Sequence, residues 1–179
     1  LRTYSVGGEQ SGFVPYATLA DLGTNTASGS TIGFSPSIPD TSYLFFDGVS
    51  YYRTVANSGL GSGTNQIVRY GSVEDLAINA SGTTFNFQTG GSQANWPLAD
   101  DFFADGLGNY YRNASPTNAV TQYPSFADLV ANTNGSSSSY SQTWDAGNRF
   151  FAAGGTFYRT NSSGTAVQSF VTYDSYADL

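Results

Sequence analysis

Tyr123-Pro124-Ser125-Phe126-Ala127-Asp128-Leu129 is one of four copies of a single phrase. The others are Tyr16-Ala17-Thr18-Leu19-Ala20-Asp21-Leu22, Tyr70-Gly71-Ser72-Val73-Glu74-Asp75-Leu76 and Tyr173-Asp174-Ser175-Tyr176-Ala177-Asp178-Leu179. The leading tyrosines, at 16, 70, 123 and 173, are 54, 53 and 50 residues apart. A period of this length marks an array of equivalent supersecondary units, each too small to bury its apolar face alone.

A second phrase runs in phase with the first. Leu44-Phe45-Phe46-Asp47-Gly48 leads to Tyr51-Tyr52-Arg53-Thr54, and Phe102-Phe103-Ala104-Asp105-Gly106 leads to Tyr110-Tyr111-Arg112-Asn113. Phe150-Phe151-Ala152-Ala153-Gly154-Gly155 leads to Phe157-Tyr158-Arg159-Thr160. Aromatic runs joined by Asp-Gly or Gly-Gly predict hairpins, because the turn needs positive φ and the flanks favour pleated backbone. A polar arm with its own short strand, such as Thr84–Gln88 or Ser139–Gln142, precedes the next hairpin. Each unit thus reads as four short strands. The fold class expected is all-β, with tandem four-stranded repeats arranged as a small, four-bladed β-propeller with an incomplete blade. Apolar residues pair or alternate instead of recurring at 3.6, so strands and turns are expected throughout. A single helical turn at Ser125–Asn132 and its counterparts is the minor alternative.

Leu1-Arg2-Thr3 aligns with Tyr52-Arg53-Thr54, so the chain is expected to open midway through a repeat. Residues 1–22 read as a half repeat, and 23–76, 77–129 and 130–179 as full repeats of one domain. A half-blade presents bare strand edges that pair readily with another chain. Copies of the same protein are the expected partner. Head-to-tail completion of this kind makes rings or filaments.

Composition narrows the function. The chain has no Cys, His or Met, and 13 acids against 6 arginines with no lysine give a net charge of −7. No basic cluster exists to hold a phosphate backbone, so nucleic acid is not expected as a partner. No segment is long enough to span a membrane as a helix. The absence of Met reads as a processed chain that has lost a signal peptide. With a surface rich in Ser, Thr, Asn and Gly, it points to a secreted or surface setting.

Candidate sites follow from the repeats. Arg2, Arg53, Arg112 and Arg159 occupy one repeat position, and Asp21, Asp75, Asp128 and Asp178 another. Arg forks could clamp a carboxylate or sulfate on each unit. Residues repeated beside core aromatics are more simply scaffold, pairing across strands. Asp47 and Asp105 sit in hairpin turns, where Asp-Gly supplies the geometry. Asp100, Asp101 and Asp105 form the densest acidic cluster, and Ca²⁺ takes such oxygen ligands. Their spacing follows no calcium loop, however, and no cofactor is expected. With no His, Cys or Lys for base or nucleophile, and no carboxylate pair singled out for glycoside hydrolysis, the chain is not expected to be an enzyme. Trp96 and Trp144 lie at matching places in two polar arms. Exposed, they could stack on sugars, making a carbohydrate-binding propeller the alternative function; buried, they pack between units. Asn79, Asn113, Asn134 and Asn161 head Asn-x-Ser/Thr sequons in expected turns, and are candidate glycosylation sites.

The order Phe-Phe-x-Asp-Gly, aromatic-Tyr-Arg, then a Tyr-led phrase resembles the hemopexin-type four-bladed propeller repeat. The resemblance covers about half of each unit. The chain lacks the cysteine pair that closes many such domains, and carries Tyr or Phe where they often have Trp. It implies a small propeller used for binding or assembly, and transfers no ligand residues. The expected function is a non-enzymatic extracellular structural protein that assembles with itself.

Overall fold

The computed structural model describes residues 2–6, 9–39, 42–55, 66–87, 101–114, 119–139, 150–153, 155–163 and 166–178. These form an all-β chain of four antiparallel sheets, each built from strands consecutive in sequence. The first sheet holds β1 (Arg2–Val6), β2 (Glu9–Val14) and β3 (Ile32–Pro39), with α1 (Leu19–Thr24) between the last two. The second holds β4 (Leu44–Phe46), β5 (Tyr51–Val55), β6 (Gln66–Tyr70) and β7 (Thr83–Asn86), with α2 (Val73–Ala77) before β7. The third holds β8 (Asp101–Ala104), β9 (Tyr110–Ala114), β10 (Ala119–Tyr123) and β11 (Ser136–Ser139), with α3 (Phe126–Ala131) before β11. The fourth holds β12 (Phe150–Ala153), β13 (Thr156–Ser163) and β14 (Ala166–Tyr173), followed by a 3-10 turn at Tyr176–Asp178.

The aromatic hairpins form in the expected register. Phe45 faces Tyr52, Phe103 faces Tyr111 and Phe151 faces Tyr158 across their strand pairs. Each pair stacks nearly parallel, with ring centroids 4.7, 4.8 and 4.9 Å apart. Gly48 and Gly106, at φ +98° and +75°, supply the left-handed backbone that the Asp-Gly turns require.

The repeated Tyr-led phrase departs from the leading expectation of strand and turn and takes the alternative, a helical turn. In three sheets it is a capped helix of five or six residues. Thr18, Ser72 and Ser125 are the N-caps, each accepting from the backbone N–H of the phrase aspartate. Thr18 and Asp21 close a full capping box. At the other end Asn25, Asn79 and Asn132 take the left-handed conformation, with φ of 55°, 52° and 51°. Their amides bond to Leu22, Leu76 and Leu129. The next amides, of Thr26, Ala80 and Thr133, reach back to Asp21, Asp75 and Asp128. This is a Schellman ending with Asn in the usual place of Gly. Because the caps carry such short helices, Ser125→Ala is expected to cost about 1 kcal/mol. Urea unfolding checks this, with Ser125→Thr restoring most of the loss.

The short helix turns the chain so that the next strand returns along the one just left. Gln66–Arg69 of β6 therefore pairs with Thr83–Asn86 of β7, and Ala119–Gln122 of β10 with Ser136–Ser139 of β11. The arm strand at Thr84, read as the opening of the next unit, is the outer strand of the preceding sheet. Sheets thus run one strand past the sequence repeats.

The core lies between sheets. One cluster joins the second and third through Phe45, Tyr52, Ile67, Phe102, Tyr110 and Leu129. Another joins the third and fourth through Phe103, Tyr111, Val120, Phe150 and Phe157. A third joins the first and second through Phe13, Ile38, Val68, Tyr70 and Leu76. β8 lies against β4 on one side and β12 on the other. All four of its residues are buried, a pattern expected of a strand covered on both faces.

Candidate functional site

The joint between consecutive sheets is the feature the chain repeats most faithfully. Tyr52 already stacks on Phe45 within the second sheet. The third sheet brings Phe102 over Phe45, Tyr110 edge-on to Tyr52, and Phe126 of α3 against Tyr52 at 4.8 Å. One sheet later the same set recurs. Phe150 lies over Phe103, Phe157 stands edge-on to Tyr111 at 5.4 Å, and Tyr176 packs on Tyr111 at 5.4 Å. Tyr176 also donates to the carbonyls of Val120 and Ser136 in the third sheet. At the first joint, Leu44, Tyr51 and Val73 hold the corresponding places beside Phe13 and Ile38. Three positions of every following sheet thus plug into the one before.

One of these joints also carries a polar bond. Asp47, at the β4–β5 turn, accepts from the amides of Val49 and Ser50 through Oδ1. Its Oδ2 accepts from two phenols at 2.6 Å each, Tyr52 of its own sheet and Tyr110 of the next. Burial alone would push this carboxyl up. The bonds from Tyr110, Tyr52 and the two amides outweigh burial and hold it below its ordinary value of 3.8. Burial first, then the bond to Asp47, pushes the Tyr52 phenol up to about 12. Tyr110 is pushed up by burial and the same carboxylate. Turn backbones meet here too: a Cβ on Gly48 would sit 3.6 Å from Gly106 Cα.

Asp105, its counterpart in the third sheet, keeps its bonds at home. Oδ1 accepts from the amides of Leu107 and Asn109, and Oδ2 from Asn109 Nδ2 and Tyr111. Phe157 stands where Tyr110 stands in the previous joint, and a phenyl ring has no proton to donate. Burial and the Asp105 charge push the Tyr111 phenol up.

The phrase aspartates are occupied by their caps. Asp21 bonds to Thr18, Asp75 to Ser72, Asp178 to Ser175, and Asp128 to Ser125, Thr133 and Asn134. The bonds from Ser125 and Asn134 hold the Asp128 carboxyl below the usual range. The Arg112 guanidinium sits 5.6 Å from the Phe87 ring centre, and the Nε atoms of Arg53 and Arg159 are buried without a hydrogen-bond acceptor. The Arg2 side chain lies outside the described residues, as do Asp100, Trp96 and Trp144.

Of the sequon asparagines, Asn113 is only 8 % exposed in the middle of the third sheet, next to Val120 of β10. A glycan there has no room in the folded chain, so this candidate is withdrawn. Asn79 and Asn134 are exposed. The Asn161 side chain lies outside the described residues. Asp101 and Asp105, two members of the acidic cluster, are buried. Among the described residues no group of three His, Cys, Asp or Glu could hold a metal ion. No described helix is long and apolar enough to cross a membrane.

Sequence reasoning missed the role of Asn25, Asn79 and Asn132 as partners of the phrase tyrosines, each nine residues after one. Tyr16, Tyr70 and Tyr123 donate to their side-chain oxygens at 2.6, 2.7 and 2.6 Å. The constant spacing was the available signal. Compared with known proteins, the chain matches no family model, no curated protein and no solved structure. The likeness to the hemopexin-type repeat therefore rests on the sequence phrases alone.

Proposed function

We propose that this chain is a non-enzymatic structural protein of the extracellular space. Its sheets act as blades of a small propeller-like array, and copies associate through the joint that already links them. The carrying observation is that joint's recurrence: Phe102, Tyr110 and Phe126 enter the second sheet as Phe150, Phe157 and Tyr176 enter the third. A receiving face and an entering face that differ make a head-to-tail contact, which does not limit itself as a two-fold contact does. Units of this kind add stability through nearest-neighbour terms, so a further unit from another copy is favoured as an internal one is. The absorption of Asp21, Asp75, Asp105 and Asp128 into caps and turns supports a non-catalytic role.

Light scattering over a concentration series, with electron microscopy of the same samples, tests this. The mass is expected to rise with concentration into rings or filaments. A single-chain mass at every concentration overturns it.

A further inference from the structure

We propose that Asp47 is a proton-operated latch between the second and third sheets, and that the joint between the third and fourth sheets has no such control. The geometry is asymmetric between two otherwise matching joints. Asp47 Oδ2 holds one phenol from each side of the seam, Tyr52 and Tyr110, both at 2.6 Å. The next joint keeps the aromatic packing but puts Phe157 at the Tyr110 position, and the acid of that sheet, Asp105, bonds only within its own sheet. The fourth sheet has Ala153 in place of the acid. The polar bond across the seam is therefore an addition to a joint that can be built without it.

Its chemistry depends on the carboxylate being ionised. An ionised carboxylate offers only acceptors, and here four donors converge on it. Adding a proton turns one oxygen into a donor facing donors, and at least one phenol loses its acceptor. The groups facing Asp47 are Tyr52 from β5, Tyr110 from β9, and the amides of its own turn. α3 reaches the site through the Phe126 ring, and its acid, Asp128, is turned to Ser125, Thr133 and Asn134. No cation is among the described partners of Asp47 to hold the charge if the phenols leave. Because the carboxyl lies below its ordinary 3.8, the latch is fully made above that value and lost as pH falls through the lowered one. The phenols are raised, so their share is complete below pH 10 and lost only as pH climbs toward about 12, where Tyr52 ionises.

The test is a double-mutant cycle of Asp47→Asn and Tyr110→Phe by urea unfolding, at neutral pH and again below the Asp47 titration. Tyr110→Phe gives this joint the residue that Phe157 already supplies in the next, so the fold has a precedent for it. The two positions are expected to be coupled by roughly tenfold or more in the folding equilibrium at neutral pH, and uncoupled in acid. Coupling that is absent at neutral pH, or unchanged in acid, overturns the latch. Carbon NMR of the Asp47 carboxyl gives a readout independent of stability. Its titration is expected below the usual range in the native chain and to move upward in Tyr110→Phe. An unmoved titration overturns the proposal equally.

Discussion

Tyr111→Ala is expected to cost about 3–5 kcal/mol, a large share of the roughly 5–15 kcal/mol that holds an ordinary domain folded. Tyr111 is 1 % exposed and lies where two sheets meet. Its ring stacks on Phe103 at 4.8 Å within the third sheet, and meets Phe157 and Tyr176 of the fourth. Removing it leaves a cavity whose walls belong to separate strands and a 3-10 turn, none of which can collapse inward without breaking its own ladder. The same substitution takes a donor from the buried Asp105. Tyr111→Phe separates the two effects. It keeps the packing and loses two hydrogen bonds, the one Tyr111 donates to Asp105 and the one it accepts from Gln122 Nε2, while Asn109 and Leu107 still serve the carboxylate, so about 1–2 kcal/mol is expected. Urea unfolding of both variants checks the ratio. If alanine costs no more than phenylalanine, the ring is not what holds the joint.

Gly135→Ala is expected to destabilise by roughly 1–3 kcal/mol through overpacking. A Cβ there would lie 2.6 Å from Thr121 Cγ2 and 2.9 Å from Tyr123 Cε1. Tyr123 cannot withdraw, because it is buried and its hydroxyl is fastened to Asn132. Gly82 is the same place one repeat earlier, with a Cβ 2.5 Å from Val68 Cγ1 and 2.7 Å from Tyr70 Cε1. Gly82→Ala should therefore behave alike. Gly71→Ala is the control, since nothing lies within 4 Å of its Cβ. There the reduced entropy of the unfolded chain should dominate, for a gain of about 0.4–1 kcal/mol. Thermal or urea unfolding of the three variants decides the matter. Equal behaviour of Gly135→Ala and Gly71→Ala would show that the tyrosine gives way.

The two glycines mark the boundary of what the sequence discloses. Hairpins were legible because Asp47-Gly48 and Asp105-Gly106 carry their turn chemistry locally, and the aromatic runs around them pair within a few residues. The phrase helices were legible only as the minor alternative of a helical turn at Ser125–Asn132 and its counterparts, because five or six residues show no 3.6 period. Their caps, Ser125 and Asn132, are visible only to a reader looking for both ends at once. The sheet to which β7 or β11 belongs depends on a chain reversal, and strand pairing leaves no mark in a polar stretch such as Ser136–Ser139. The Asp47 site was legible as a turn and opaque as a bond between sheets. Its partner Tyr110 is 63 residues away, and it differs from Phe157 by one hydroxyl.

The offset between sheet and repeat bears on how such a chain could change its length. Each span from one phrase to the next carries both a pocket and the plug for the pocket before it, as Phe103 and Tyr111 receive while Phe102, Tyr110 and Phe126 enter. Recombination that inserts or deletes one whole period leaves every surviving plug opposite a pocket of the same kind. A crossover at the edges of a sheet instead of a repeat would do the same, since both cuts preserve the alternation. Variation in copy number is then nearly neutral for packing. The exception is the carboxylate seam, where losing the unit that carries Tyr110 removes the second phenol from Asp47 at a stroke.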